Sequence, residues 1–254
     1  MDFTFKIYEE LLQALIGADY NFITFEEYFT LKDVEEPLVI LRHDVDRKPY
    51  NAVVMAEIEK KHNVKASYYF RVVPEAWDTE VIKKIAELGH ECGYHYEDLD
   101  LAKGDIDKAY EMAKKHLTMI KEFYPVQTIC MHGSPLSPND NKEVWRKYNY
   151  RDLGIIAEPY FDLDYEKVLY ITDTGRAWNK TNVSVRDKVA TSLSVNVKTT
   201  QQLIELIHED HCPNQLMINT HPNRWNSSIV PWTKELVNQN LKNVIKYALI
   251  KIRK

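Results

Sequence analysis

Acidic and basic side chains able to act together recur at one kind of place in this chain, the ends of short apolar runs. Asp44 and Asp46 close the run that begins at Leu38, and Arg71 lies near the end of 65–73. His95 lies near the end of 91–96, His132 follows 126–131, Asp173 follows 168–172 and His221 follows 215–219 within two residues. Asp and His with no cysteine partner suit a divalent ion such as zinc, cobalt, iron or nickel that keeps positions open for water and substrate. Such an ion lowers the pKa of bound water toward about 7 and polarises a carbonyl. A second carboxylate on the same strand face can take the water's proton while a histidine across the mouth protonates the departing group. That division of labour is metal-assisted hydrolysis of an amide or ester.

Alternation along a strand puts Arg42, Asp44 and Asp46 on one face and His43 and Val45 on the other. An isolated Asp-x-Asp is more readily a solvated loop with Asp46 capping the next helix, so the weight falls on the other strand ends. His62, His116, His208 and His211 sit in or beside helices, and His90 follows Gly89; solvated, capping or local hydrogen-bonding roles suit them. His132 differs: Cys130 and Ser134 flank it at strand spacing, and Gly133 lets the following N–H approach a ligand. His221, between Thr220 and Pro222 after an apolar strand, is expected to point inward. Arg42, beside Asp44, is expected to hold that carboxylate ionised.

Strand and helix alternate to position these groups. Helical spacing covers 5–16, stopping at Gly17; strand 38–45 leads to a helix from Pro49 to about His62; strand 65–73 leads to a helix capped by Asp78 and closed by Gly89. A third strand covers 91–96, Asp105 caps a helix to about Phe123, and strand 126–131 precedes a short helix over 141–148. Segment 21–29 has no clear state. Between 150 and 197 the pattern loosens into strand candidates 153–157, 168–172 and 192–197, a β-rich excursion expected to wall the site. A helix over 200–210, a strand over 215–219 and an amphipathic helix over 232–252 complete the chain. Repeated strand–helix units imply a parallel sheet, and polar residues at the ends of many strands favour a closed mouth over a single switch point. The expected fold is α/β, a distorted (β/α) barrel of about seven parallel strands with an extra N-terminal helical segment, in one domain spanning 1–254 with its core at 38–222.

The 254 residues are 44% hydrophobic and 28% charged, ordinary for a soluble globular chain. A net charge of -5 without a basic run argues against nucleic acid and membrane surfaces as partners. Three cysteines without Cys-x-x-Cys spacing read as free thiols, and no leader or span-length apolar stretch is evident, so a reducing cytoplasm is the expected location. A small-molecule or oligosaccharide substrate and an optional homodimer are the expected partners.

Three motifs in order carry a family resemblance: His43-Asp44-Val45-Asp46, Gly89-His90-Glu91-Cys92-Gly93-Tyr94-His95 and Asn219-Thr220-His221-Pro222. They resemble the polysaccharide deacetylases, family 4 of the carbohydrate esterases, which are metal-dependent deacetylases on a distorted (β/α) barrel. The resemblance implies Asp44 as general base, Asp46 and His95 as metal ligands and His221 as general acid. It also implies N- or O-deacetylation, with removal of an N-acetyl group from an amino sugar or sugar-containing precursor as the expected reaction. Two positions depart from the family: Leu99 stands where a second ligating histidine is usual, and His132-Gly133-Ser134-Pro135 replaces the usual Arg-Pro-Pro-type loop. His132 is therefore expected as the third ligand, with Asp98 or Glu97 as substitutes, and the N–H groups near Gly133 and Ser134 as oxyanion donors. Asp173, Arg176 and Trp178 are expected to wall the site, the first two as an ion pair and Trp178 stacked on a sugar face. Arg71 and Glu158 complete the pocket candidates. The alternatives are a metal-free or cyclic-amide hydrolase on the same barrel, a glycosyltransferase holding a nucleotide sugar through Asp44-Val45-Asp46, and a non-catalytic carbohydrate-binding relative.

Overall fold

A computed structural model describes residues 1–32, 36–134, 137–178 and 189–252, with side chains described to residue 244. Its strands are β1 (Asn21–Ile23), β2 (Leu38–Val45), β3 (Ser67–Phe70), β4 (Glu91–Tyr96), β5 (Ile129–Met131), β6 (Leu169–Thr172) and β7 (Gln215–Thr220). All pair in parallel in the order β5-β4-β3-β2-β7-β6, and β1 fills the first half of the β2 edge that β3 occupies further on. The sheet curls into a distorted α/β barrel.

Ten helices accompany it among the described residues: α1 (Phe5–Gly17), α2 (Phe25–Thr30), α3 (Pro49–Lys61), α4 (Thr79–Glu87), α5 (Asp98–Leu101), α6 (Ile106–Lys121), α7 (Glu143–Lys147), α8 (Pro159–Asp162), α9 (Thr200–His208) and α10 (Ile229–Ile252). Their starts follow local chemistry. Thr4, Asp78, Asp105 and Thr199 accept hydrogen bonds from the first-turn N–H groups of α1, α4, α6 and α9. Thr24 and Glu27 form a capping box on α2, which resolves 21–29 into a strand and a helix. None of the described helices is long and apolar enough to cross a membrane.

Period-two alternation explains the layers. On β2, Val39, Leu41 and Val45 pack outward with Leu11, Met55 and Leu203, while Leu38 and Ile40 pack inward with Phe25, Tyr69 and Met217. The inward column of β2 changes from Leu38 and Ile40 to Arg42 and Asp44 toward the C-terminal end, so this strand is apolar below and charged above. Gly93 on β4 is required by this interior: a Cβ there would lie 2.4 Å from the Tyr69 ring. Two strand expectations change. Residues 153–157 form part of a 3-10 turn and one bridge, Thr128 to Ala157, and 192–197 form no strand. Apolar content there serves burial of Ile155, Ala157 and Val197 without a ladder.

Candidate active site and metal centre

The inward parity that fills the barrel also sets the site. On β4 the inward residues are Glu91, Gly93 and His95, on β5 Cys130 followed by His132, and on β7 Met217, Asn219 and then His221. Each strand ends by placing one polar group at the mouth.

Asp44 is buried and gripped by Arg42 through two bonds, Nε to Oδ1 at 2.9 Å and Nη2 to Oδ2 at 2.7 Å. Asn219 donates to Oδ2 at 3.1 Å, and the Nε2 atoms of His95 and His221 lie 3.8 and 4.0 Å from it. Burial opposes ionisation, but Arg42, His95 and His221 outweigh it and hold the Asp44 carboxyl well below the ordinary carboxylate range.

Asp46 lies just past β2, where its N–H turns back to the Asp44 carbonyl at 3.0 Å. Its Oδ1 is 3.6 Å from His95 Nε2 and 3.4 Å from His132 Nε2, and the two imidazoles meet edge to face at 5.1 Å. Burial pushes the Asp46 carboxyl up, yet His132 and His95 hold it well down. His95 Nδ1 is 3.0 Å from the Cys130 carbonyl; donation there, assigned from the hydrogen-bond network, leaves Nε2 facing the cluster. Glu97 supports from outside: Oε2 lies 3.2 Å from His132 Nδ1, and Arg71 grips both of its oxygens while bonding the Asp46 carbonyl at 2.9 Å. Burial notwithstanding, His132 and Arg71 bring the Glu97 carboxyl down to about 2.

One carboxylate and two imidazoles within 4.8 Å of one another form a donor set that fits a divalent ion. Among the described residues, the buried Oδ1 of Asp46 has no hydrogen-bond partner, as suits an atom reserved for a cation. A second group, Asp44, His95 and Cys130, satisfies the same distance criterion. The gap at Leu99 has a structural reason: Leu99 is in α5 and packs with Tyr94, Tyr96 and Leu117. The imidazole facing His95 comes from the end of β5 instead.

His221 is positioned by Asp173. Nδ1 lies 2.6 Å from Asp173 Oδ1, the backbone N–H donates to Oδ2 at 3.1 Å, and Arg224 and the Trp225 indole donate to the same carboxylate. Burial raises the Asp173 carboxyl, but Arg224 and His221 lower it further. Arg224 Nη1 also lies 2.8 Å from Nδ1; with the proton assigned to Nδ1 toward the Asp173 carboxylate, Nε2 faces Asp44, the arrangement of a histidine set to move protons. Sequence reasoning left Arg224, Trp225 and Asn219 without roles; inward parity from His221 could have found Asn219, two residues earlier on β7.

Other expected site residues lie elsewhere. Asp173 does not pair with the Arg176 guanidinium, because Arg176, at φ 58°, turns it over the Trp232 ring at 4.4 Å and bonds the Trp232 carbonyl. Trp178 is buried against Phe3 and Trp225, with its indole N–H on Thr200, and has no face for a sugar. Asp98 points outward between Tyr94 and His116, at 2.7 Å from each, because it heads α5 on the outer side of the sheet. Glu158 lies beneath the mouth, accepting from Tyr96, the Met131 N–H and the Tyr160 N–H, and burial pushes its carboxyl up to about 7. Gly133 and Ser134 follow His132 as half-buried backbone, and Pro135 lies outside the described residues.

No family model matches the sequence, and no curated protein does. Solved structures do match. A family 4 carbohydrate esterase pseudoenzyme from Bacillus anthracis superposes at TM-score 0.44 and 15% identity over 84% of this chain. The esterase domain of a multidomain xylanase from the hindgut metagenome of Trinervitermes trinervoides gives 0.40, 16% and 83%, covering 85% of that domain. PdaA of Bacillus subtilis, a family 4 carbohydrate esterase, gives 0.36, 12% and 83%, covering 86% of PdaA. The chain spans 62% of the length of the Bacillus anthracis protein.

Proposed function

We propose that this protein is a metal-dependent hydrolase that removes an acyl group, N-acetyl in the first instance, from a sugar or sugar-containing precursor. The observation that carries this is the pairing of two proton-handling groups beside a three-donor cluster. Asp44 and His221 face each other across 4.0 Å; Asp44 lies 3.8 Å from His95, and His221 acts electrostatically on Asp46, which stands against His95 and His132.

Asp46, His95 and His132 would hold the ion, and when bound it would supply Lewis acidity toward a carbonyl and a water of lowered pKa. Asp44, kept ionised by Arg42 and held in place by Asn219, is the general base. Its carboxylate takes a proton from the attacking water. His221, with Nδ1–H on Asp173, is the general acid, passing a proton from Nε2 to the departing amine nitrogen or hydroxyl oxygen. Burial of Arg42, Asp44 and Asp173 dries the floor of the site, which strengthens these electrostatic interactions. The N–H groups near Gly133 and Ser134 are the candidates for holding the developing oxyanion.

The test combines metal analysis of protein purified without chelator with acetate release from N-acetylated amino sugars, in the parent, His95→Ala, His132→Ala and Asp44→Asn. Near-stoichiometric metal lost in both histidine variants, with Asp44→Asn keeping metal but losing acetate release, is the expected pattern. A parent that binds no zinc, cobalt, iron or nickel when supplied would defeat it. Unchanged metal in His132→Ala would remove His132 from the ligand set.

A further inference from the structure

The terminal helix α10 is docked the wrong way round for a helix that only stabilises a fold. Its buried positions include Glu235, Gln239 and Asn243, whereas Val230, Val237, Leu241 and Val244 are more than half exposed. The buried polar face is aimed at the loops of the mouth. Glu235, 2% exposed, takes Arg47 at 2.7 Å and Lys48 at 3.2 Å, the two residues that follow Asp46. Asn243 donates to the Gly175 carbonyl, two residues after Asp173, and accepts from Gln239 at 2.9 Å. The helix therefore leans on the loops after β2 and β6, on the side where Asp44 and His221 meet.

Charge on this rim is unbalanced. Lys242 follows Glu235 by seven residues, hence on nearly the same helix face, and is exposed. Its ammonium interacts electrostatically with Arg47, Arg224, Glu235 and Asp46; partial burial and then Arg47 lower its pKa, while Glu235 and Asp46 act in the opposite direction. Arg224 is committed to Asp173, and Asp46 to the three-donor cluster. Among the described residues, Arg47, Lys48 and Lys242 then share one acid, Glu235, in a chain whose net charge is -5. A local cationic rim on an acidic protein steers and holds anions.

We propose that Arg47, Lys48 and Lys242 form a subsite for an anionic group, a phosphate or a carboxylate, carried by the saccharide substrate. The subsite rests on the hydrolase assignment for its place in the reaction, and it makes the substrate an acidic or phosphorylated acylated sugar. Arg47 offers a planar fork to two oxygens, and the two lysines act as point charges. Glu235 keeps Arg47 and Lys48 in register with α10.

The test is calorimetric titration of the full chain with N-acetylglucosamine, N-acetylglucosamine 1-phosphate and an N-acetylated uronic acid, which reads binding without turnover. At least one anionic sugar is expected to bind roughly tenfold more tightly than the neutral one, as charged hydrogen bonds do. Lys242→Met should reduce that preference, Lys242→Glu should abolish it, and neither should change metal content. Preference for the phosphate alone or the carboxylate alone assigns the source of the anion. Equal binding of neutral and anionic sugars, no binding of any, or a preference unchanged in Lys242→Glu overturns the subsite. Preferential anion binding without acetate release from any of the three would leave the subsite standing and count against the hydrolase.

Discussion

The two faces of β2 carry two buried polar clusters of opposite character. Outward, His43 lies between Thr220 at 2.6 Å and Glu59 at 2.8 Å, and Glu59 also accepts from the Tyr8 and Tyr68 hydroxyls. Both Glu59 oxygens are filled, and the cluster ties α1, α3, β2, β3 and β7 together. Inward, Asp46 has an oxygen with no donor among the described residues and stands against two imidazoles. A satisfied network gives rigidity; an unsatisfied one in the same protein marks where something is to bind. Net charge makes the same point, since Arg42 matches Asp44 and leaves Asp46 for a cation.

Removing the acid from each cluster should separate them most strongly. Glu59→Leu removes the acceptor that three buried donors share and should cost about 3–5 kcal/mol in urea unfolding. Asp46→Asn, in chelated protein at pH 8, should remain within about 1 kcal/mol of the parent, because few partners depend on that carboxylate. It should also lose the rise in Tm that added metal gives the parent by mass action. Equal destabilisation by the two would mean that the inner cluster is structural as well.

Next in size is the His221 side of the mouth. Asp173→Asn keeps the shape but replaces an acceptor of the Nδ1–H by a group that can donate, so the imidazole loses its enforced tautomer. On the proposed chemistry kcat should fall by about 100-fold to 1000-fold, or roughly 3–4 kcal/mol, with KM nearly unchanged. A loss confined to KM would make Asp173 a determinant of substrate binding instead.

The two faces are unequally legible in the sequence for physical reasons. Alternation alone put Arg42 with Asp44 and His43 behind them, and 91–96 matches β4 at both ends, because period two survives whatever packs against it. His132 stands out in sequence by its flanks, Cys130, Gly133 and Ser134, and by the leucine at 99, and it lies 3.4 Å from Asp46. Glu59 was missed because one acid on an amphipathic helix reads as surface until tertiary contacts show otherwise. Asp173 was paired with Arg176, its neighbour in sequence, while its actual partner Arg224 follows a different strand. Trp178 read as a sugar platform because an exposed and a buried indole look the same in sequence. The short α5 was missed because four residues carry too little periodicity.

Glu158 offers a pH test between the two regions, since it lies below the mouth and touches neither β2 cluster by hydrogen bond. Its carboxyl is raised from an ordinary value of 4.5 to about 7, chiefly by burial. The folded state therefore binds more protons than the unfolded one between those values, and this group's contribution falls as pH rises through that window. Glu158→Gln removes the titration, so its stability relative to the parent should improve from pH 5 to pH 8 by up to about 3 kcal/mol. A parent-minus-variant difference independent of pH would mean that Glu158 is ionised throughout.

The smallest effect probes the outer cluster at its edge. Thr220 gives the oxygen 2.6 Å from His43 Nδ1, so Thr220→Val keeps the volume and removes one hydrogen bond while leaving His43 on Glu59. The cost should be about 1 kcal/mol, against the 3–5 kcal/mol of losing Glu59, because a single neutral bond contributes far less than the acid that three donors share. Thr220 is also the residue before His221, and its side chain points to the opposite face of β7. If the two faces are independent, Thr220→Val shifts the unfolding midpoint and leaves kcat within a factor of about two, sites without shared partners being close to additive. A larger fall in kcat at unchanged metal content would show that the outer network sets the backbone on which His221 is mounted.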